Sequence, residues 1–467
     1  MNLKRCTDIA LKVCTAALLV IALVLTFTVS DYYIFNKFGQ YNAAFIISHW
    51  FKKSGLLLLP LAVFYKKRCC ADIAKYFLPV FVIISCCTFG SFFEITSVTD
   101  ASSPSDKVYA SINEFINRPT NMSLFFILCA LYIIDCGLLF LRDGFKVNPR
   151  SFIYLPIAIL AVMPLNIFEN FFDINTIPQD SFLRFRNFTV WHFAVLMIVA
   201  GFTVGAYYFL KNKNSESQKS FLVAGAVILL IQYHSKDSVV MGDGYNVYHT
   251  VFACIPLFIC NIGVYMASFS VIFRKRVLYA ISFFVHAAGA LTVLIYLGRD
   301  DISNYGIFCS YSILYFCLTH SLLFALSVLP SALGHYKFRI KDCIIPLIYY
   351  CGVIIVATVA SGLVTSASMG FTYDGYTLQE GEWLYPNYAF TQINPLPIPF
   401  NYIPFRIWKC EFYLSYLIVL YLVYVGLFWI FTGAYYAFLA VRKRIFSPKS
   451  AVAVEAEAAA SDDKNED

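Results

Sequence analysis

Two residues able to do chemistry together lie in apolar runs long enough to cross a bilayer. Cys260 sits in Phe258-Ile259-Cys260-Asn261-Ile262-Gly263 and His320 in Phe316-Cys317-Leu318-Thr319-His320-Ser321. A thiol becomes a nucleophile when a neighbouring base takes its proton, and imidazole is suited to that work near neutral pH. Attack on an ester carbonyl gives an acyl-enzyme, which then passes its chain to a second alcohol. Asn261, or a backbone N–H freed near Pro256, would steady the oxyanion. Taken singly, each residue has a plainer reading: a small buried filler for the cysteine, an interhelical hydrogen bond for the histidine. Cys260 precedes Arg274 by fourteen residues and His320 precedes Lys337 by seventeen, on helices expected to run the same way. At 1.5 Å per residue both lie roughly 21 to 25 Å from one membrane boundary, so they can meet. In the intervening antiparallel helix stands His286, followed by Gly289, whose small size permits close packing.

The elements that position them follow from composition. Of 467 residues 60% are hydrophobic and 13% charged, with mean hydropathy +0.68, which excludes soluble domains and gives an all-α, polytopic helical membrane protein. The net charge of +7 comes from short basic clusters at the ends of apolar runs, so topology explains it and no nucleic-acid partner is inferred. The fifteen cysteines, including the doublets Cys69-Cys70 and Cys86-Cys87, lie mostly in apolar segments without zinc spacing. They read as reduced thiols, with no metal and no cofactor expected.

By the twenty-residue criterion about twelve spans appear, near 11–30, 43–65, 76–98, 122–141, 151–170, 190–210, 219–234, 246–273, 277–298, 304–330, 343–366 and 411–440. Every second loop is basic, from Lys66-Lys67-Arg68 to Arg442-Lys443-Arg444, which assigns both termini to the cytoplasm of a cell in whose plasma membrane the chain resides. Corresponding strings recur. Tyr65-Lys66-Lys67-Arg68 matches Phe273-Arg274-Lys275-Arg276, and Phe145-Lys146-Val147 matches Phe338-Arg339-Ile340. The chain therefore divides into two parallel six-helix repeats: 1–212, degenerate, and 213–444, which holds the site, followed by an acidic disordered tail, 445–467. In this alignment Lys52 falls opposite Cys260 and Ile127 opposite His320, so the first repeat lacks the pair.

Asp135 in the fourth span is costly in lipid and marks a polar site in the first repeat, with Lys52 or Lys53 as its partner, unless it lies near the interface. Gln232, His234 and His249 form an expected polar mouth above Cys260, engaged in interfacial hydrogen bonding rather than metal binding. Glu94 and Glu169 read as solvated. The stretch from about Ser368 to Cys410, rich in proline and aromatics, reads as a lid at the headgroup level.

The second repeat resembles the YwaF-like family of bacterial integral membrane proteins, which is similar to the eukaryotic transmembrane protein 164 acyltransferases. The matching strings are Ile255-Pro256-Leu257-Phe258-Ile259-Cys260-Asn261, Phe284 with Gly289-Ala290, Leu318-Thr319-His320-Ser321 and Asn387-Tyr388-Ala389-Phe390. Phe258 stands where many members have His. The resemblance implies transfer of an acyl chain between phospholipids, with Cys260 and His320 in the catalytic roles and membrane lipids as partners. Asn261, His286, Gly289, Asn387 and Tyr388 would support them. The competing reading is a secondary transporter of a small solute built from the two halves.

Overall fold

The structure, a computed structural model, describes residues 3–28, 43–87, 119–163, 165, 178, 181–240, 255–295, 310–373, 376–381, 383–392 and 401–446. Its helices are α1 (Leu3–Thr28), α2 (Ala43–Val63), α3 (Arg68–Cys87), α4 (Pro119–Asp143), α5 (Leu155–Ala161), α6 (Val190–Leu210), α7 (Ser215–Val240) and α8 (Ile259–Phe273). There follow α9 (Arg276–Ile281), continued through a π-helical turn (Ser282–Ala287) into α10 (Ala288–Ile295), then α11 (Tyr311–Ala332), α12 (Ile344–Ser368) and α13 (Leu414–Phe446). Two short antiparallel hairpins precede the last helix: β1 (Thr372–Tyr373) with β2 (Tyr376–Thr377), and β3 (Pro404–Ile407) with β4 (Cys410–Tyr413).

Each of the twelve expected stretches contains a helix. Seven segments are long and apolar enough to cross a membrane among the described residues: Lys4–Leu25, Ser123–Asp143, Val190–Leu210, Arg276–Ile295, Ile313–Ala332, Ile340–Ser368 and Leu414–Val441. Pro149–Ala161 and Ile259–Phe273 are apolar but shorter. Large apolar side chains stay exposed along outward faces, such as Met197 and Ile198 of α6 and Ile348 and Ile355 of α12. Water would penalise such surfaces, whereas hydrocarbon does not.

Two cores fill the bundle. One gathers Leu11 and Leu18 of α1, Leu59 of α2, Ile73 of α3 and Leu139 of α4. The other gathers Phe283 and Phe284 of the π-turn, Tyr350 of α12 and Phe428 of α13. Helix α7 joins them, packing on α1 and α2 as well as on α8 and α11.

The basic loops converge on one end. The Arg142 guanidinium donates to the Ala62 carbonyl at 3.2 Å and Lys75 to that of Gly144 at 3.1 Å. Across the halves, Arg274 lies 5.8 Å over the Tyr65 ring. Arg276 grips Asp342 through two bonds of 3.0 and 2.6 Å. Chain reversals at this end correspond between the halves. Lys66 after α2 and Arg274 after α8 both take left-handed backbone, with φ of 51° and 56°. Gly144 after α4 and Gly334 after α11, with φ of 72° and 81°, end their helices as only glycine does without strain. Each leads to a 3-10 turn, Pro149–Tyr154 or Ile340–Cys343, that opens the next helix.

Several boundaries differ from the sequence reading. The eighth stretch, expected helical over 246–273, lies outside the described residues over 246–254, and within them it is non-helical over 255–258 and helical from Ile259, because Pro256 supplies no N–H and biases the residue before it to extended backbone. The seventh, expected short, runs 26 residues as α7. Helix α13 reaches Phe446, one residue past the expected start of the tail, and residues 447–467 lie outside the described residues. Glu94, Glu169 and His249 also lie outside them.

Candidate active site

The late start of α8 sets the position of Cys260. Phe258 is the cap, extended at φ −77° and ψ 146°, and the Ile262 N–H makes a helical bond to its carbonyl at 2.9 Å. Cys260 is therefore the second residue of the first turn, where a helix presents N–H groups that lie outside its own bonding ladder. These groups and the helix dipole make the spot favourable for an anion, whether a thiolate or the oxyanion of a tetrahedral intermediate. The Cys260 thiol donates to Oδ1 of Asn261 at 3.6 Å, and the side chain is half-buried against the second core.

His320 arrives on α11, which packs directly on α8 and runs parallel to it. Cys260 stands thirteen residues before the end of α8 and His320 twelve before the end of α11, roughly 20 and 18 Å at helical rise. The two residues thus stand at similar distances along their helices from the C-terminal ends. Nδ1 of His320 lies 2.8 Å from the Phe316 carbonyl, and its ring stacks on that of Phe316 at 4.1 Å. An Nδ1–H donated there leaves the lone pair on Nε2, the form a general base requires. Thr319 and Ser321 likewise donate to carbonyls one turn back, those of Tyr315 and Cys317. Three successive polar side chains thus turn back onto their own helix.

His286 occupies the π-turn, a rare geometry that recurs at functional sites, and is 1% exposed. Its Nε2 lies 3.1 Å from the Tyr349 hydroxyl of α12, and its ring packs on Gly263 of α8, one turn below Cys260. Gly289 brings α10 against Ile259, where an added β-carbon would come within 3.3 Å of its side chain. A hydrogen bond of 2.8 Å between Ser282 and Ser327 fixes the π-turn to α11. The cysteine helix is thereby clamped between the π-turn and the histidine helix.

Asn387 and Tyr388 come from above, in a role other than that of an open lid. Tyr388 and Ala389 are fully buried against α12, with the Tyr388 N–H donating to Ser361 at 3.1 Å. Phe258, beside Cys260, meets the rings of Tyr388 and Phe390 at 5.9 and 6.1 Å. Asn387, Ala389 and Phe390 all have positive φ, and the Asn387 side chain accepts from the Gln392 N–H at 3.0 Å. This strained turn is a plug set into the bundle, held further by the Tyr416 hydroxyl on the Phe390 carbonyl.

The polar residues of the first half do not join this group. Asp135 is fully buried among the helices of the first core. Its Oδ2 accepts from Thr15 of α1 at 3.1 Å, its Oδ1 has no hydrogen-bond partner, and among the described residues no ion pair links it to Lys52 or Lys53. Lys52 is half-buried, its carbonyl accepting from the Tyr132 hydroxyl. Of the expected polar mouth, His234 bonds Tyr265 at 3.3 Å and Gln232 the Met163 carbonyl at 3.3 Å. Among the described residues no cluster of three or more His, Cys, Asp or Glu is arranged to hold a metal.

Sequence reasoning missed Tyr349, Gly263 and His192. The last, fully buried, bridges the Phe188 N–H and the Leu294 carbonyl. Gly263 was visible as a glycine three residues past Cys260, whereas a tyrosine at 349 in an apolar run carried no signal.

Compared with known proteins, the family model of the TMEM164 family matches residues 185–428, which include Cys260, His286, His320, Asn387 and Tyr388. No curated protein matches the chain, and no solved structure does.

Proposed function

This chain belongs to the TMEM164 family and is an integral, multi-pass membrane protein, and we propose that it moves a fatty acyl chain between phospholipids through a Cys260 acyl-enzyme. His320 takes the thiol proton through Nε2, and the sulfur attacks the ester carbonyl of the donor lipid. The tetrahedral oxyanion sits against the N–H groups of the first turn of α8. Its collapse breaks the ester C–O bond, the departing lysolipid hydroxyl takes the proton back from His320, and a thioester remains. The acceptor hydroxyl then gives its proton to His320 and attacks the thioester, and Cys260 leaves as the thiol. The observation that supports this reading is the place of Cys260 in the first turn of α8, a helix that packs on α11, which carries His320.

The same reading assigns the plasma membrane as its site, with both termini in the cytoplasm, because the basic loops gather at one end. It takes the halves as two six-helix repeats, for which the paired reversals at Lys66 and Arg274 and at Gly144 and Gly334 speak. Purified chain in liposomes holding a donor phospholipid and a lysophospholipid acceptor tests the activity. Transfer of the chain that disappears in Cys260→Ala supports it, and transfer unaffected by that substitution refutes it. The buried, half-bonded carboxyl of Asp135 favours a second reading, solute transport, under which Asp135→Asn abolishes flux while Cys260→Ala leaves it intact.

A further inference from the structure

We propose that the cavity between the start of α3 and the 3-10 turn before α5 binds a phosphate-bearing anion, either a lipid headgroup or a soluble phosphate ester. The cavity measures about 360 Å³, within the range of small-molecule sites and ample for such a group. Arg68, the first residue of α3, and Arg150, in the turn, both line it, as do Asn148 and Ser151. Neither guanidinium has a hydrogen bond or ion pair among the described residues.

The neighbouring carboxylate does not answer them. Asp72 accepts from the Asn148 N–H at 3.2 Å and the Ser151 hydroxyl at 2.9 Å, and its other oxygen pairs with Lys75 at 3.4 Å, both side chains being essentially buried. Two guanidinium-bearing side chains therefore line one hollow without a counter-charge among the described residues, and guanidinium is the group suited to phosphate oxygens.

The wall of the cavity says where the ligand comes from in depth. Ile153 is 69% exposed and Tyr154 55%, and the apolar strip continues along α5 through Ile157 and Leu160. Apolar surface thus meets the basic loops at the cavity mouth, the level at which a headgroup sits and tyrosine is favoured. The site lies in the first half, outside the residues matched by the family, and stands independently of the acyl-transfer reading.

Cys69 lines the same cavity and serves as the reporter. The full chain in nanodiscs is treated with N-ethylmaleimide, and alkylation of Cys69 is read by peptide mass spectrometry against exposed Cys87. The proposal expects Cys69 alkylation to slow at least fivefold relative to Cys87 when phosphatidylglycerol replaces phosphatidylcholine, or when millimolar glycerol 3-phosphate is added to phosphatidylcholine discs. Protection by the lipid alone identifies a headgroup site, and protection by the soluble ester identifies a soluble ligand. The protection disappears in Arg68→Gln/Arg150→Gln, whose replaced side chains are on the surface. Absence of protection in both arms, or protection that survives the double substitution, overturns the proposal.

Discussion

Gly263 and His286 are fitted to one another: a β-carbon on Gly263 would lie 2.8 Å from Nδ1 of the imidazole, closer than such contacts come. The space between α8 and the π-turn is therefore filled by the histidine, and the glycine is its condition. Replacing a mid-helix glycine by alanine gains about 0.5–1 kcal/mol in backbone terms. Overpacking a tight contact costs about 1–3 kcal/mol, so the clash wins. Gly263→Ala is expected to lower the melting temperature in detergent and acyl transfer along with it. An unchanged melt would show that the imidazole swings aside freely.

The Tyr349 hydroxyl is the partner of His286 Nε2. Tyr349→Phe leaves that nitrogen buried without it, at a cost of about 1–3 kcal/mol. Thermal unfolding checks the magnitude. If His286 positions α8 for catalysis, kcat falls while KM stays, and a shift confined to KM would count against that role.

Lys75 and Asp72 form an ion pair at 3.4 Å with side chains 0% and 2% exposed. Removing one partner strands the other charge, so Lys75→Met is expected to destabilise by about 3–5 kcal/mol. The double variant Asp72→Asn/Lys75→Met loses less, because no charge is left uncompensated. Unfolding midpoints of the two variants decide, and a double variant worse than the single one would refute the pairing.

His335, in the loop after α11, has a buried Nε2 without a hydrogen-bond partner. Burial, then the charges of Lys219 and Arg274, hold its imidazole below the usual 6.5. The folded chain thus binds this proton less readily than the unfolded chain does. Its contribution to stability is intact above pH 6.5 and declines as the pH falls below it. A melting series from pH 7.5 to 5 should be flatter for His335→Gln than for the parent chain, and an equal slope would exclude His335 as its source.

Much of this architecture was legible in the residues, because lipid forces the backbone into helices and basic loops punctuate them. All twelve apolar stretches hold a helix, and Cys260 and His320 lie on helices that pack on one another. What escaped was set by tertiary context. Periodicity carried α8 back through 255–258, whereas the non-helical approach at Pro256 put Cys260 in a first turn. The π-turn around His286 has no sequence signature, since it arises from packing on Gly263. The Asn387–Phe390 segment looked like a headgroup lid by composition, yet its buried backbone finds partners in Ser361 and Tyr416 and sits inside the bundle.

The central claim is a thioester on one sulfur. The full chain is incubated with a phosphatidylcholine of defined acyl composition, quenched, and weighed intact by mass spectrometry. The account predicts one acyl adduct, labile to hydroxylamine, located at Cys260 and absent from Cys260→Ala, with its formation slowed about 10²- to 10⁴-fold in His320→Ala. No adduct on the parent chain, or one that persists in Cys260→Ala, would contradict it.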